Sequence, residues 1–254
     1  MTLDQVLIRK AALDAGFDLE HAPEGPWSRF GISGQPLTAW VRRDNDGFAI
    51  ALSAAHVLDE LDEQEQGVDE LPAGAIGSRR SSSHQELMAT LARARVLDAT
   101  LPTRLYDNWR VRVAALAATE REALIKQRVG QDLFREGLMA YWRGRCAVTG
   151  IEIPELLRAS HIKPWRDCTD NERLDIHNGL LLAAHLDALF DAHLVTFGEQ
   201  GEAIWAATVS PELLDALGLG IRPLRIQGLS AGHRAYLQGH RAELRRLDED
   251  RLRT

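Results

Sequence analysis

The stretch RCAVTGIEIPELLRASHIKPWRDCTDNERLDIHNGLLLAAHLDALFDAHLVTF, residues 145–197, decides how the chain is read. Leu156–Ile162 alternates enough for a strand that delivers His161 at its end, and Pro164, which has no backbone donor, stops the ladder. A polar loop of about a dozen residues follows, a length typical of functional loops. Asn178-Gly179 is a turn signal, Leu180–Leu182 reads as a short buried strand, and Ala183–Ala192 as a helix carrying His185, Asp187 and Asp191. The order strand, loop, strand, helix places a histidine, an asparagine and several oxygen and nitrogen ligands in one small unit.

Upstream, residues 119–142 are helical in pattern. Thr119 and Glu122 form a capping-box signature, Gly130 is expected to interrupt the helix, and Phe134, Leu138 and Tyr141 share one face. Downstream, Ser230–Arg253 has leucines at roughly helical spacing and ends in a mixed-charge run that reads as a solvated face. The first hundred residues are different. A helix over 3–15 is followed by strand-like runs Trp27–Ile32, Leu37–Arg42 and Phe48–Leu52, with Asp44-Asn45-Asp46-Gly47 as a turn. A short helix over Ala54–Leu61, an exposed acidic stretch from Asp59 to Gly74 and a helix over Gln85–Ala99 complete this part. The fold class is therefore α+β, with a small N-terminal module over 1–118 and a second module over 119–254 whose core is 141–197.

The chain has 254 residues, 45% apolar and 26% charged, enough to bury a sizeable core and too apolar for a disordered protein. Two cysteines exclude a disulfide scaffold and a four-cysteine zinc site, and fit a reducing compartment. No apolar run approaches the ~20 residues a membrane helix needs. The opening MTLDQVLIRKAALDAG has charges where a secretory signal needs an apolar centre, so a cytoplasmic location is expected. The net charge of −7 argues against a nucleic-acid partner when taken whole. Its distribution does not. Residues 1–125 hold 13 basic and 19 acidic side chains, net −6, whereas 126–166, leading into His161, hold 8 and 4, net +4.

Three ordered submotifs, Ala159-Ser160-His161-Ile162-Lys163-Pro164-Trp165, Asn178-Gly179-Leu180-Leu181-Leu182 and His185-Leu186-Asp187-Ala188-Leu189-Phe190-Asp191, with the lead-in Tyr141–Gly150, resemble the HNH nuclease family. The resemblance implies a ββα-metal fold and metal-dependent hydrolysis of DNA phosphodiesters. His161 then takes the general-base role, which needs a group titrating near neutrality. Asn178 matches the asparagine that holds the loop and the histidine through hydrogen bonds. Asp187 falls on the last motif position, nine residues after Asn178, as a hard ligand for magnesium or manganese, with His185 as the other candidate ligand. The two point about 200° apart on an ideal helix and so do not readily share one ion. Lys163, Arg166, Arg143 and Arg145 are candidate phosphate contacts. Two departures stand out. Ser160 occupies a position where many relatives carry a metal ligand, and no paired Cys-x-x-Cys motif is present, so no structural zinc is expected and packing must hold the core.

The plainer readings are an exposed helical carboxylate for Asp187, incidental thiols for Cys146 and Cys168, and helix-end structural roles for Asp191 and His193. In 1–118 the strand aromatics Trp27, Phe30 and Trp40 read most simply as core, and more sharply as a pocket for a flipped or modified base. The expected function is a restriction-type endonuclease acting on double-stranded DNA, with the N-terminal module setting specificity and a homodimer supplying a second site for the second strand. The alternative is a DNA-binding or regulatory protein on a degenerate HNH scaffold, which Ser160 favours.

Overall fold

The computed structural model describes residues 2–44, 47–61, 68, 70–113, 120–220 and 223–253, which divide into two compact units, Met1–Ala99 and Thr100–Thr254. Thr119, and with it the expected capping box, lies outside the described residues, as do Asn45, Asp46 and residues 62–67 and 69 of the acidic stretch.

The first unit opens with α1 (Leu3–Asp14), started by a capping box in which Thr2 and Gln5 satisfy each other's backbone N–H. Strands β1 (Leu19–Glu24), β2 (Trp27–Ile32), β3 (Gln35–Asp44) and β4 (Gly47–Leu52) follow, then the short α2 (Ala55–Leu58), β5 (Gly77–Ser81) and α3 (His84–Thr100). The strands form one antiparallel sheet in chain order, β1 to β5. Gly34, at φ +75°, makes the tight turn between β2 and β3 that pairs Ile32 with Gln35. All six residues of β4 are buried, as an interior strand covered on both faces requires. Ile8, Ala11 and Ala12 of α1 and Leu87, Leu91 and Leu97 of α3 are buried with Phe30, Ile50 and Leu52 of the sheet.

The three aromatics expected to line a base pocket do not do so. Trp27, Phe30 and Trp40 are 5%, 1% and 2% exposed. Trp27 and Trp40 pack together with Ala49, Ala51 and Val68, while the alternation of β2 sends Phe30 to the opposite face. Arg42 lies over the Trp27 ring and Arg29 over the Trp40 ring, closing the remaining surface. The burial of large rings in a small sheet won over any open pocket.

The second unit begins with α4 (Pro102–Val113), which packs on α5 (Glu120–Tyr141). The composition-based boundary at 118/119 therefore lies beyond the division between the compact units, because α4 sits with the helix that follows it. Helix α5 runs unbroken through Gly130. A Cβ there would come 3.1 Å from the Trp165 ring and 3.5 Å from that of Trp109, so the glycine admits two indoles and does not end the helix. Phe134, Leu138 and Tyr141 are all buried. Next come β6 (Leu157–His161), α6 (Asp170–Arg173), β7 (Gly179–Ala183) and α7 (Ala184–Asp191). A two-stranded antiparallel ribbon pairs Leu157 with Ala183 at one end and His161 with Gly179 at the other. Helices α5 and α7 both pack on this ribbon. The ribbon of β8 (Val195–Phe197) and β9 (Ala203–Trp205), then α8 (Pro211–Ala216) and α9 (Ala231–Arg251), complete the unit. Helix α9 buries His233, Leu237, His240 and Leu244, one face at helical spacing, and packs on β8. No helix among the described residues is long and apolar enough to cross a membrane.

Candidate active site

The β6–β7 connection is a bonded frame rather than a free loop. Asn178, with no exposed surface, sits at its centre. Its Oδ1 accepts from the backbone N–H of Lys163 (2.8 Å), and its Nδ2 donates to the carbonyl of Glu172 (3.0 Å) and to the sulfur of Cys168 (3.2 Å). One amide thus ties the start, middle and end of the connection together. Helix α6, four residues long, is held by a second device, a capping box between Thr169 and Glu172. Glu172 also binds the Lys163 ammonium at 2.6 Å, and these donors hold its carboxyl down at about 2 while the Lys163 ammonium is raised. Lys163, expected at a phosphate, is committed to this frame.

The frame places the carbonyl of Arg173 3.0 Å from Nε2 of His161. A carbonyl only accepts, so Nε2 carries the proton and Nδ1 keeps its lone pair. The imidazole is stacked on Phe134 at 3.8 Å and meets Trp165 edge-on at 5.3 Å. Burial lowers its pKa below the usual 6.5, although the bond to Arg173 pulls the other way. The result is a neutral imidazole at neutral pH with one fixed N–H and one basic nitrogen. Its position depends on Gly179 opposite. A Cβ there would lie 2.5 Å from the Phe134 ring and 2.8 Å from Leu138, both buried. Gly179→Ala is expected to destabilise the protein by about 2 kcal/mol through overpacking. Urea denaturation measures this, and a loss under ~0.5 kcal/mol would show that the Phe134 contact yields.

His161 lines an open pocket of about 620 Å³ together with Ser160, Trp165, Arg166, Asp187 and Asp191, among others. Asp187 and Asp191 are four residues apart on α7 and so lie on one face. Both carboxyls are raised above their usual 3.8. For Asp187 the cause is burial, opposed by Ser160 and Arg158; for Asp191 it is burial and then the charge of Asp187, opposed by His193 and Ser160. The Ser160 hydroxyl is buried beside both carboxyls and favours their ionised forms. Two half-buried carboxylates on one helix face, Asp191 raised in part by the charge of Asp187, with a buried hydroxyl beside them, suit a hard divalent cation, which prefers oxygen and would offset that repulsion. Among the described residues no three His, Cys, Asp or Glu side chains converge on a ready-made metal site, so water and phosphate oxygens would have to complete the shell.

The sequence-selected residues separate here. His161, Asp187 and Arg166 share the pocket, with Arg166 highly exposed; His185, Arg143 and Arg145 are not among its lining residues, and Arg145 pairs with Glu152 at 3.0 Å. Asp191, His193, Arg158 and His240 line it without having been selected. The four-residue spacing of Asp187 and Asp191 was the available signal. His193 has φ +51°, a left-handed conformation that costs an ordinary side chain about 1 kcal/mol.

A basic imidazole on a bonded hairpin, sharing an open pocket with paired carboxylates from the following helix, is the equipment of a hydrolase acting on a polar ester. Residues 146–198 match the family model described as HNH endonuclease, so the C-terminal half of the chain carries an HNH-family module, which implies a nuclease-type function on DNA. No curated protein matches the chain.

Proposed function

We propose that the chain is a metal-dependent DNA endonuclease of restriction type. The observation that carries the reading is His161, neutral and with a free Nδ1, in one pocket with Asp187 and Asp191. In this reading Nδ1 of His161 takes a proton from the water that attacks phosphorus, and the bond to the 3′ oxygen breaks. Asn178 and Arg173 hold the imidazole in the productive tautomer. Asp187 and Asp191 would hold a magnesium or manganese ion, which when bound supplies charge neutralisation at the phosphate and the leaving oxygen. Arg166, highly exposed beside Asp167, would meet the strand. The N-terminal unit is the specificity module, double-stranded DNA the substrate, a homodimer the assembly that cuts both strands, and the cytoplasm the site of action.

The test is incubation of the purified protein with matched duplexes, unmodified, methylated, hydroxymethylated and glucosylated, with magnesium, with manganese and with EDTA. Cleavage of at least one duplex with metal and none with EDTA is expected. Binding without cleavage anywhere would favour the degenerate-scaffold reading that Ser160 suggests, and equal cutting of all four would remove dependence on modification.

A further inference from the structure

His193 is built into the pocket at a cost that a spacer residue would not incur. It follows the C-terminal residue of α7 by two positions, with φ +51°, where glycine or asparagine would sit more easily. Helix α9 holds it there from far along the chain. Its ring stacks on His240 at 4.3 Å and 9°, and His240 stacks on Phe190 at 3.9 Å and 2°. His240 is itself fixed at both ring nitrogens, by the Thr196 hydroxyl (2.9 Å) and the Phe190 carbonyl (3.2 Å). The backbone is clamped as well. Arg251 donates to the carbonyls of Ala192 (2.9 Å) and His193 (3.2 Å), and the His193 N–H donates to the Phe190 carbonyl (2.9 Å).

All this support presents an imidazole whose own ring nitrogens have no hydrogen-bond partner among the described residues. It lies on the Asp191 side of the pocket, where two carboxylates would repel a polyanionic strand. A further donor on that wall would offset their charge, and Nη1 of the neighbouring Arg158 is already given to the carbonyls of Glu155 and Leu157. Backbone strain retained against such an easy relief concentrates at functional sites.

We propose that His193 is a DNA-contacting residue of this pocket, donating an imidazole N–H to a non-bridging phosphate oxygen of the bound strand. The proposal rests on the nuclease reading only in taking DNA as the ligand. Neutral imidazole already carries one N–H, so the contact does not depend on protonation.

The test uses His193→Gly and His193→Asn, both suited to left-handed backbone. Binding of a labelled duplex is measured by fluorescence anisotropy with magnesium, each variant combined with His161→Gln to suppress cutting. Cleavage and its magnesium dependence are measured in the His161 background. Thermal melts check folding. Both variants are expected to stay folded, to bind DNA about tenfold more weakly, as loss of one phosphate contact implies, and to keep the magnesium half-saturation. Affinity within twofold of the parent in both variants would overturn the proposal, as would a loss confined to magnesium half-saturation. If the parent cuts no DNA but His193→Gly and His193→Asn bind less, the nuclease reading fails and the contact stands. If it cuts and both variants bind normally, the contact fails alone.

Discussion

Replacing His161 by alanine or by glutamine is expected to lower the rate of DNA cleavage by about 10²–10⁴-fold, the usual range for losing a positioned general base. The glutamine variant isolates the chemistry. Its side-chain amide can still donate to the Arg173 carbonyl, as Nε2 does now, but has no basic nitrogen with which to accept a proton. The alanine variant also removes the 3.8 Å stack on Phe134 and leaves a cavity, so it is expected to lose about 2 kcal/mol of stability as well. A glutamine variant that folds like the parent and cuts at the parent's rate would remove His161 from the mechanism.

The pH profile gives a second signature of the same residue. Burial depresses the His161 pKa, so its base form predominates already below pH 6.5. Cleavage should therefore be flat through neutrality and fall only as pH drops below that depressed value, where the imidazole takes up a proton. Asp187 and Asp191, whose carboxyls are raised, protonate in the same direction and steepen the acid limb. In the glutamine variant the limb due to the imidazole should vanish, leaving only the carboxylate contribution. A limb centred above 6.5 in the parent would mean that another group takes the proton.

What the sequence conveyed about this pocket depended on how local the information was. The β6–β7 ribbon and α7 could be placed because their alternation, turn and helical runs are each encoded within a few residues. Strand β1 could not, since Leu19–Glu24 is exposed almost throughout and has no buried face to produce an apolar alternation. Strands β8 and β9, three residues each, are too short for any period to register. The apparent break at Gly130 was a tertiary effect, invisible without knowing that Trp165 and Trp109 occupy the space of its missing side chain. Around the pocket, motif position nominates His161, Asn178 and Asp187. Asp191 reads as a helix-end residue, although its spacing from Asp187 places both on one face. Nothing in the sequence points to His193, whose φ angle and stack on His240, contributed by α9, exist only in the folded unit. Lys163 and the N-terminal tryptophans show the converse. Residue type nominated them, and Glu172 in one case and core packing in the other had already claimed them.

Asn178 is where the frame is most exposed to a single change, and its variants should separate stability from catalysis. Asn178→Ala removes the acceptor of the Lys163 N–H and the donor to the Glu172 carbonyl at a site with no access to water. Two buried groups left unpaired cost roughly 1–3 kcal/mol each, so a loss of about 3 kcal/mol is expected, partly offset if the loop opens to solvent. Either way the Arg173 carbonyl is no longer held against His161, and cleavage should fall by about 10²-fold even in the population that remains folded. Asn178→Asp is the sharper probe. It keeps the shape and the acceptor for Lys163, but turns an oxygen toward the Glu172 carbonyl where Nδ2 now donates. In the ionised form that oxygen is repelled, and only the protonated form can donate, so the folded state raises this carboxyl's pKa above its unfolded value of ~3.9. The sign follows from that shift. The variant should lie closest to the parent in acid, with both forms protonated, and its deficit should widen as pH rises through and beyond ~4. Denaturant midpoints of parent and variant across pH 4–8 measure the gap. A gap independent of pH would show that Nδ2 of Asn178 does not donate to the Glu172 carbonyl, and that something other than this amide holds the connection carrying Arg173.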